Sequence, residues 1–162
     1  MIRDYQAIAN SWFPKGHQKL IRTYGKHHGV KLMGVLDYAS GDVYCVEEER
    51  YDAEVFLTFL QKVVARYPGE KLVIVLDNAR IHHAKLIQPF LEEHATVLEL
   101  LFLPPYSPEL NPIEGLWGWL KKSVIYNVFY SDVAQIRKAV QSFISEISKD
   151  RTRIVTRLCN RI

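Results

Sequence analysis

Asp77 and Glu114 are the side chains whose type and setting point most directly to chemistry. Asp77 closes Leu72-Val73-Ile74-Val75-Leu76, a continuous apolar run of the kind found in a buried central strand. Ligand sites in open α/β sheets gather at the carboxyl ends of strands. An ionised carboxylate there is costly unless it is paired or bound to a metal. Glu114 follows Pro112, which suits a helix start, with Asn111 ahead of it as a cap. Taken singly, each acid has an ordinary explanation, as a turn or cap aspartate and as a glutamate favoured by the helix dipole. Together they offer hard oxygen ligands from two different elements to one divalent cation. Paired cations of this type activate an attacking hydroxyl and stabilise a leaving oxygen on a phosphodiester. Such a site needs a third carboxylate beyond these two.

The elements that must position these acids follow from the patterning. Val30–Asp37 and Val43–Val46 read as two strands of a hairpin around the turn Tyr38–Asp42. From Asp52 to Arg66, apolar Val55, Phe56, Phe59, Leu60 and Val63 have the spacing of an amphipathic helix, which Pro68-Gly69 ends. Leu72–Leu76 is a strand, residues 83–94 a helix and residues 96–103 another strand. Pro104-Pro105-Tyr106-Ser107-Pro108 is a rigid connection into a helix from Ile113 to about Val124. The last helix, Asp132 to about Ser148, carries Val133, Ile136, Val140, Phe143 and Ile147 on one stripe. This order predicts an α/β protein with a mixed sheet flanked by helices. The hairpin requires a further strand to pair against, and the residues ahead of it do not obviously supply one.

Composition sets the frame. At 162 residues, with 48% hydrophobic and 24% charged content, the chain suits one globular domain. Its apolar runs are too short to cross a bilayer, and charge at Arg3 and Asp4 argues against a signal peptide. Cys45 and Cys159 form neither a zinc pattern nor a disulfide framework and read as reduced structural thiols. A cytoplasmic, nucleoid-associated protein is expected. The net charge of +3 is unevenly spread, with residues 115–162 holding nine of the 21 basic side chains and three of the 18 acidic ones. That basic third is either a solvated helical surface or one that contacts phosphates.

Two stretches carry a resemblance. Leu76-Asp77-Asn78-Ala79-Arg80-Ile81-His82-His83 and Phe102-Leu103-Pro104-Pro105-Tyr106-Ser107-Pro108-Glu109-Leu110-Asn111-Pro112-Ile113-Glu114-Gly115-Leu116-Trp117 resemble the second and third acidic motifs of the IS630/Tc1-mariner transposases, of the DDE superfamily of endonucleases. The resemblance implies a ribonuclease-H-like fold and dependence on Mg²⁺ or Mn²⁺, with two ions in a complete site. It implies DNA cleavage and strand transfer in transposition, with transposon ends and target DNA as partners and a homo-oligomeric assembly. Asp77 and Glu114 match the family's second and third catalytic, metal-binding acids. Asn78, His82 and Asn111 are candidates for supporting them, and Lys121 and Lys122 for contacting DNA phosphates.

The family's first acid lies on the first strand, ahead of a turn resembling Trp12–Gly16. Counting back about fourteen residues from Trp12 reaches a point just before Met1. The resemblance therefore implies a partial core (1–162) without the first catalytic strand and the upstream helix-turn-helix region, and inactive on its own. It implies either a split gene complemented by an N-terminal fragment or a decayed copy. Asp4 and Asp37 are the substitutes within the chain, the first too near the N-terminus for a strand and the second at the hairpin tip. His27, His28 and His83 have no ligand partners at useful spacing and read as exposed. Trp117 and Trp119 read as core and interface residues. Two other functions stand beside transposition: a non-catalytic relative that binds DNA or a transposase subunit, and a nuclease acting on RNA–DNA hybrids. The Pro-Pro-Tyr-Ser-Pro stretch argues against the last.

Overall fold

The computed structural model describes residues 2–3, 9–10, 12–16, 20, 29–105, 107 and 110–159. The chain divides into two compact units, Met1–Glu47 with Pro112–Ile162, and Glu48–Asn111.

In the first unit, β1 (Ile2–Arg3), β2 (Gly29–Leu36) and β3 (Val43–Glu48, up to Glu47 in this unit) form a sheet in the order β1-β2-β3. The short β1 pairs antiparallel with β2, Ile2 opposite Val30, so the segment ahead of the hairpin does supply a two-residue strand. The β2–β3 loop is closed by the Asp37 N–H donating to the Asp42 carbonyl at 2.8 Å. Gly41 there takes φ +72°, a left-handed conformation that suits a residue without Cβ.

The helices of this unit are α3 (Pro112–Leu120), α4 (Val133–Ile147) and α5 (Arg151–Ile154). A π-helical turn follows α3 over Lys121–Ile125, and another follows α5 over Val155–Cys159. Asp132 and Asp150 cap α4 and α5, each accepting from a backbone N–H three residues on. The stripe expected for α4 is the observed one, with Ile136, Val140 and Ile147 buried. Val30, Leu120, Val124, Ile125, Ile136 and Val140 make one core cluster, and Val43, Leu116, Trp119, Ile147, Ile154, Leu158 and Cys159 a second. Trp117 packs against both, as the core reading of that residue expects.

In the second unit, α1 (Ala53–Arg66) has Asp52 as its N-cap, accepting from Val55 N–H at 3.0 Å. Its apolar face buries Phe56, Phe59, Leu60 and Val63. Leu60 is wholly buried, so Leu60→Ala would cost about 2–5 kcal/mol. Strands β4 (Leu72–Leu76) and β5 (Leu98–Phe102) pair in parallel, Leu72 opposite Leu98 and Leu76 opposite Phe102. A parallel pair needs a long crossover. Two 3-10 turns, Arg80–His83 and Lys85–Ile87, and helix α2 (Gln88–Glu93) provide it. The continuous helix expected over 83–94 is thus broken. Pro89 fits only near a helix start, which sets the α-helix at Gln88.

The expectation that β4 is buried on both faces is corrected. Leu76 is buried, but Val73 and Val75 are 53% and 39% exposed, and Leu101 on β5 is 51% exposed. Among the described residues, no helix is long and apolar enough to cross a membrane.

Candidate metal centre and nucleic-acid interface

Asp77 stands at the carboxyl end of β4, as its sequence position requires, but its side chain is 76% exposed. The desolvation cost expected for a buried strand-end carboxylate therefore does not apply to it. Its rotamer is nevertheless fixed. Oδ1 accepts from the Ala79 N–H at 3.1 Å and lies 3.2 Å from His82 Nδ1. The same imidazole nitrogen is 3.0 Å from the Asp77 carbonyl oxygen. A carbonyl only accepts, so Nδ1 carries the proton that is donated to Asp77. The ring itself is held by Phe56, with centroids 4.5 Å apart.

Asn78 ties the two strand ends together. Its Nδ2 donates to the Leu103 carbonyl at 2.6 Å, and its Oδ1 is 3.2 Å from His83 Nε2. Because the amide oxygen accepts, His83 is the donor. His83 also stacks on Phe102, with centroids 4.3 Å apart. His83 was expected to be an exposed histidine without ligand partners. It is exposed, but it has a structural role in holding Asn78, which spacing along the chain does not reveal.

Glu114 belongs to the other compact unit, in the first turn of α3, with its side chain exposed. Asn111 directly precedes Pro112. Asp77 Oδ2 and the Glu114 carboxylate make no hydrogen bond or ion pair with any described residue. As open, un-neutralised oxygen donors, both suit Mg²⁺ or Mn²⁺. Among the described residues, no group of three or more His, Cys, Asp or Glu is placed to hold a metal ion.

Of the other acids considered, Asp4 lies outside the described residues, as do His27 and His28. Asp37 is engaged in its own turn, accepting from the Ser40 hydroxyl and from Ala39 N–H at 2.9 Å. Lys121 and Lys122 are exposed on the π-helical turn after α3. Trp119 is buried, with Phe143 edge-on at 5.3 Å and two arginines, Arg153 and Arg157, against its ring.

Comparison with known proteins joins these observations. The DDE superfamily endonuclease family matches residues 1–137. The chain is 30% identical over 142 residues to the IS630 insertion-element 39 kDa protein of Shigella sonnei, covering 87% of this chain and 41% of that protein. It is 32% identical over 83 residues to the Tc3 transposase of Caenorhabditis elegans, covering 50% of this chain and 24% of that transposase. The chain thus spans less than half the length of these relatives. In fold it is similar to the Mos1 transposase of the strand transfer complex, with a TM-score of 0.66 and 16% identity over 99% of this chain and 49% of that one. The Mos1 mariner paired-end complex with Mn gives a TM-score of 0.63 at 16% identity, over 97% of this chain and 51% of that one. The ribonuclease-H-like fold agrees with the matched family and with the likeness to IS630, Tc3 and mariner proteins, and the chain belongs to the DDE superfamily endonucleases.

Proposed function

We propose that this chain is part of the catalytic core of a DNA transposase, with Asp77 and Glu114 as two of its metal-binding acids. The observation that carries the reading is that both carboxylates are open, one at a strand end and one in a first helical turn, in a chain of the DDE superfamily endonucleases. The reaction is hydrolysis at a transposon-end phosphate, followed by attack of the freed 3′ hydroxyl on target DNA. Mg²⁺ or Mn²⁺, when bound, would sharpen the attacking hydroxyl and carry charge on the leaving oxygen.

The chain's own residues do the positioning. His82 and the Ala79 N–H occupy Asp77 Oδ1, which leaves Oδ2 to face a cation. Asn78 and His83 lock the β4 and β5 ends and so fix where Asp77 leaves the sheet. Glu114 is set by Pro112 one turn into α3. Lys121 and Lys122 meet DNA phosphates. Asp77 and Glu114 need a third carboxylate to complete the site, and the working assembly is oligomeric on paired transposon ends. The protein acts where DNA is, in the nucleoid.

The test has two stages. Mn²⁺ added to residues 1–162 should broaden NMR signals around Asp77 and Glu114, and Asp77→Asn or Glu114→Gln should abolish the effect at the changed position. Cleavage of a supercoiled plasmid, with an N-terminal segment carrying a third acid supplied, should vanish with either substitution. Full activity in Asp77→Asn or Glu114→Gln would remove the site assignment. DNA binding without cleavage in the supplemented protein would favour a non-catalytic role.

A further inference from the structure

Among the described residues, Arg137, Arg151, Arg153 and Arg157 of the first unit fall into two kinds. Arg137 is neutralised by Glu47, with Nε and a terminal nitrogen at 2.7 and 2.8 Å from its two carboxylate oxygens. Arg151 is neutralised by Asp42 at 2.7 Å. Arg153 and Arg157 have no carboxylate partner among the described residues. They share one aromatic ring instead, with guanidinium carbons 5.1 and 4.5 Å from the Trp119 centroid.

This arrangement follows from the chain. Positions 153 and 157 are four apart on the segment running from α5 through its π-helical turn, so both project from one side. The other side is buried through Ile154, Leu158 and Cys159. Trp119 cannot retreat, because Phe143 meets it edge-on and Leu116, Ile147 and Ile154 share its cluster. The indole therefore holds both cations at cation–π distance while their outer N–H groups face solvent. Two like charges fixed side by side repel unless an anion lies across them. A guanidinium fork fits phosphate oxygens in geometry and is readily desolvated.

We propose that Arg153 and Arg157, seated on Trp119, form a contact surface for the sugar-phosphate backbone of DNA. The proposal rests on the DNA-acting reading above and adds to it a surface that does not use the acidic motifs. The extended polyanion is favoured over a small phosphate compound because both arginines are exposed and the surrounding third of the chain is strongly basic. The ring fixes where the charges sit, and the charges select the ligand.

The test uses fluorescence anisotropy of the whole chain with a labelled duplex over a series of potassium chloride concentrations. Each phosphate contact contributes a slope of about 0.9 to the dependence of log affinity on log salt. Arg153→Gln with Arg157→Gln should lower that slope by nearly 2 and weaken binding at least about tenfold at low salt. Lys138→Gln with Lys149→Gln removes the same charge from the same third of the chain and should change the slope far less. Arg153→Lys with Arg157→Lys keeps the charge and should keep most of the slope. Equal slopes in the glutamine and wild-type proteins, or equal losses in the arginine and lysine pairs, would overturn this surface and leave the functional reading standing. Absence of any salt-dependent DNA binding by the wild type would overturn both. A second measurement needs no variant: DNA should protect Arg153 and Arg157 of the wild-type chain from phenylglyoxal, read by mass spectrometry. Undiminished modification of both would also overturn the proposal.

Discussion

His82 grips Asp77 at two points, its backbone carbonyl and its carboxylate, through a single ring nitrogen. One imidazole thus couples the course of the chain leaving β4 to the rotamer of the acid. His82→Ala is expected to cost about 1–2 kcal/mol of stability through the lost hydrogen bond and the lost contact with Phe56. It should also weaken Mn²⁺ binding at Asp77. His82→Asn offers an N–H near the Nδ1 position and should recover part of the metal affinity without recovering the packing. Unchanged Mn²⁺-induced broadening at Asp77 in His82→Ala would show that the ring does not position the acid.

Asp37 provides a pH-dependent contribution. Burial opposes its ionisation, but hydrogen bonds from the Ser40 hydroxyl and from the Ala39 and Ser40 N–H groups outweigh that effect and the nearby Asp42 charge. The carboxyl therefore titrates below its ordinary value of 3.8. A folded value lower than the unfolded one gives stability that is fully present above the unfolded pKa and is lost as pH falls through the folded one. A carbon-13 titration of the Asp37 carboxyl should place its midpoint below 3.8, and Ser40→Ala should raise it. A wild-type midpoint at or above the ordinary value would contradict the turn as described.

Three glycines separate by what a methyl group would meet. At Gly34 an added Cβ would lie 2.7 Å from Cys45 Sγ and 3.0 Å from the Trp117 ring, so Gly34→Ala should cost about 1–3 kcal/mol. At Gly41 the left-handed backbone adds to a 2.6 Å approach to the Arg151 carbonyl oxygen, and Gly41→Ala should cost about 2–4 kcal/mol. Gly118 is inside α3 with nothing within 4 Å, so Gly118→Ala should stabilise by about 0.5–1 kcal/mol. Urea denaturation of the three variants should give that order.

Cys45 is a test of burial. Desolvation pushes its thiol up to about 12, so almost none of it is thiolate at neutral pH. Its alkylation by iodoacetamide at pH 8 should be far slower than that of the same residue in urea-unfolded protein. Equal rates would show that the β2–β3 sheet opens freely at Cys45.

The parts of the fold legible in the sequence are those where one periodicity has one physical meaning. Helix α1 showed its start at Asp52 and its buried stripe, and α4 did the same from Asp132. Strand β4 was legible as a strand but not in its exposure, because an apolar run does not say which face is covered. The crossover from Arg80 to Glu93 was not legible as turns. Its geometry depends on Asn78, His82 and His83 bonding back to the strand ends. The acids of the candidate site stood out through their motifs, whereas Arg153 and Arg157 did not. Their character depends on Trp119, which is distant in sequence, and on the lack of a described acid beside them.

The exposed face of β4 has a consequence for handling the protein in solution. Leu72–Leu76 is uncharged, free of proline and made of strand-forming residues, with Val73 and Val75 open to water. Such a segment is a template for strand-to-strand stacking between molecules. Lys71 and Asp77 bracket it and act as gatekeepers, because stacked copies would bring like charges together. Asp77 therefore guards colloidal stability as well as offering a ligand. Asp77→Asn should precipitate at a lower concentration than Glu114→Gln, and any comparison of their activities must first separate lost chemistry from lost soluble protein.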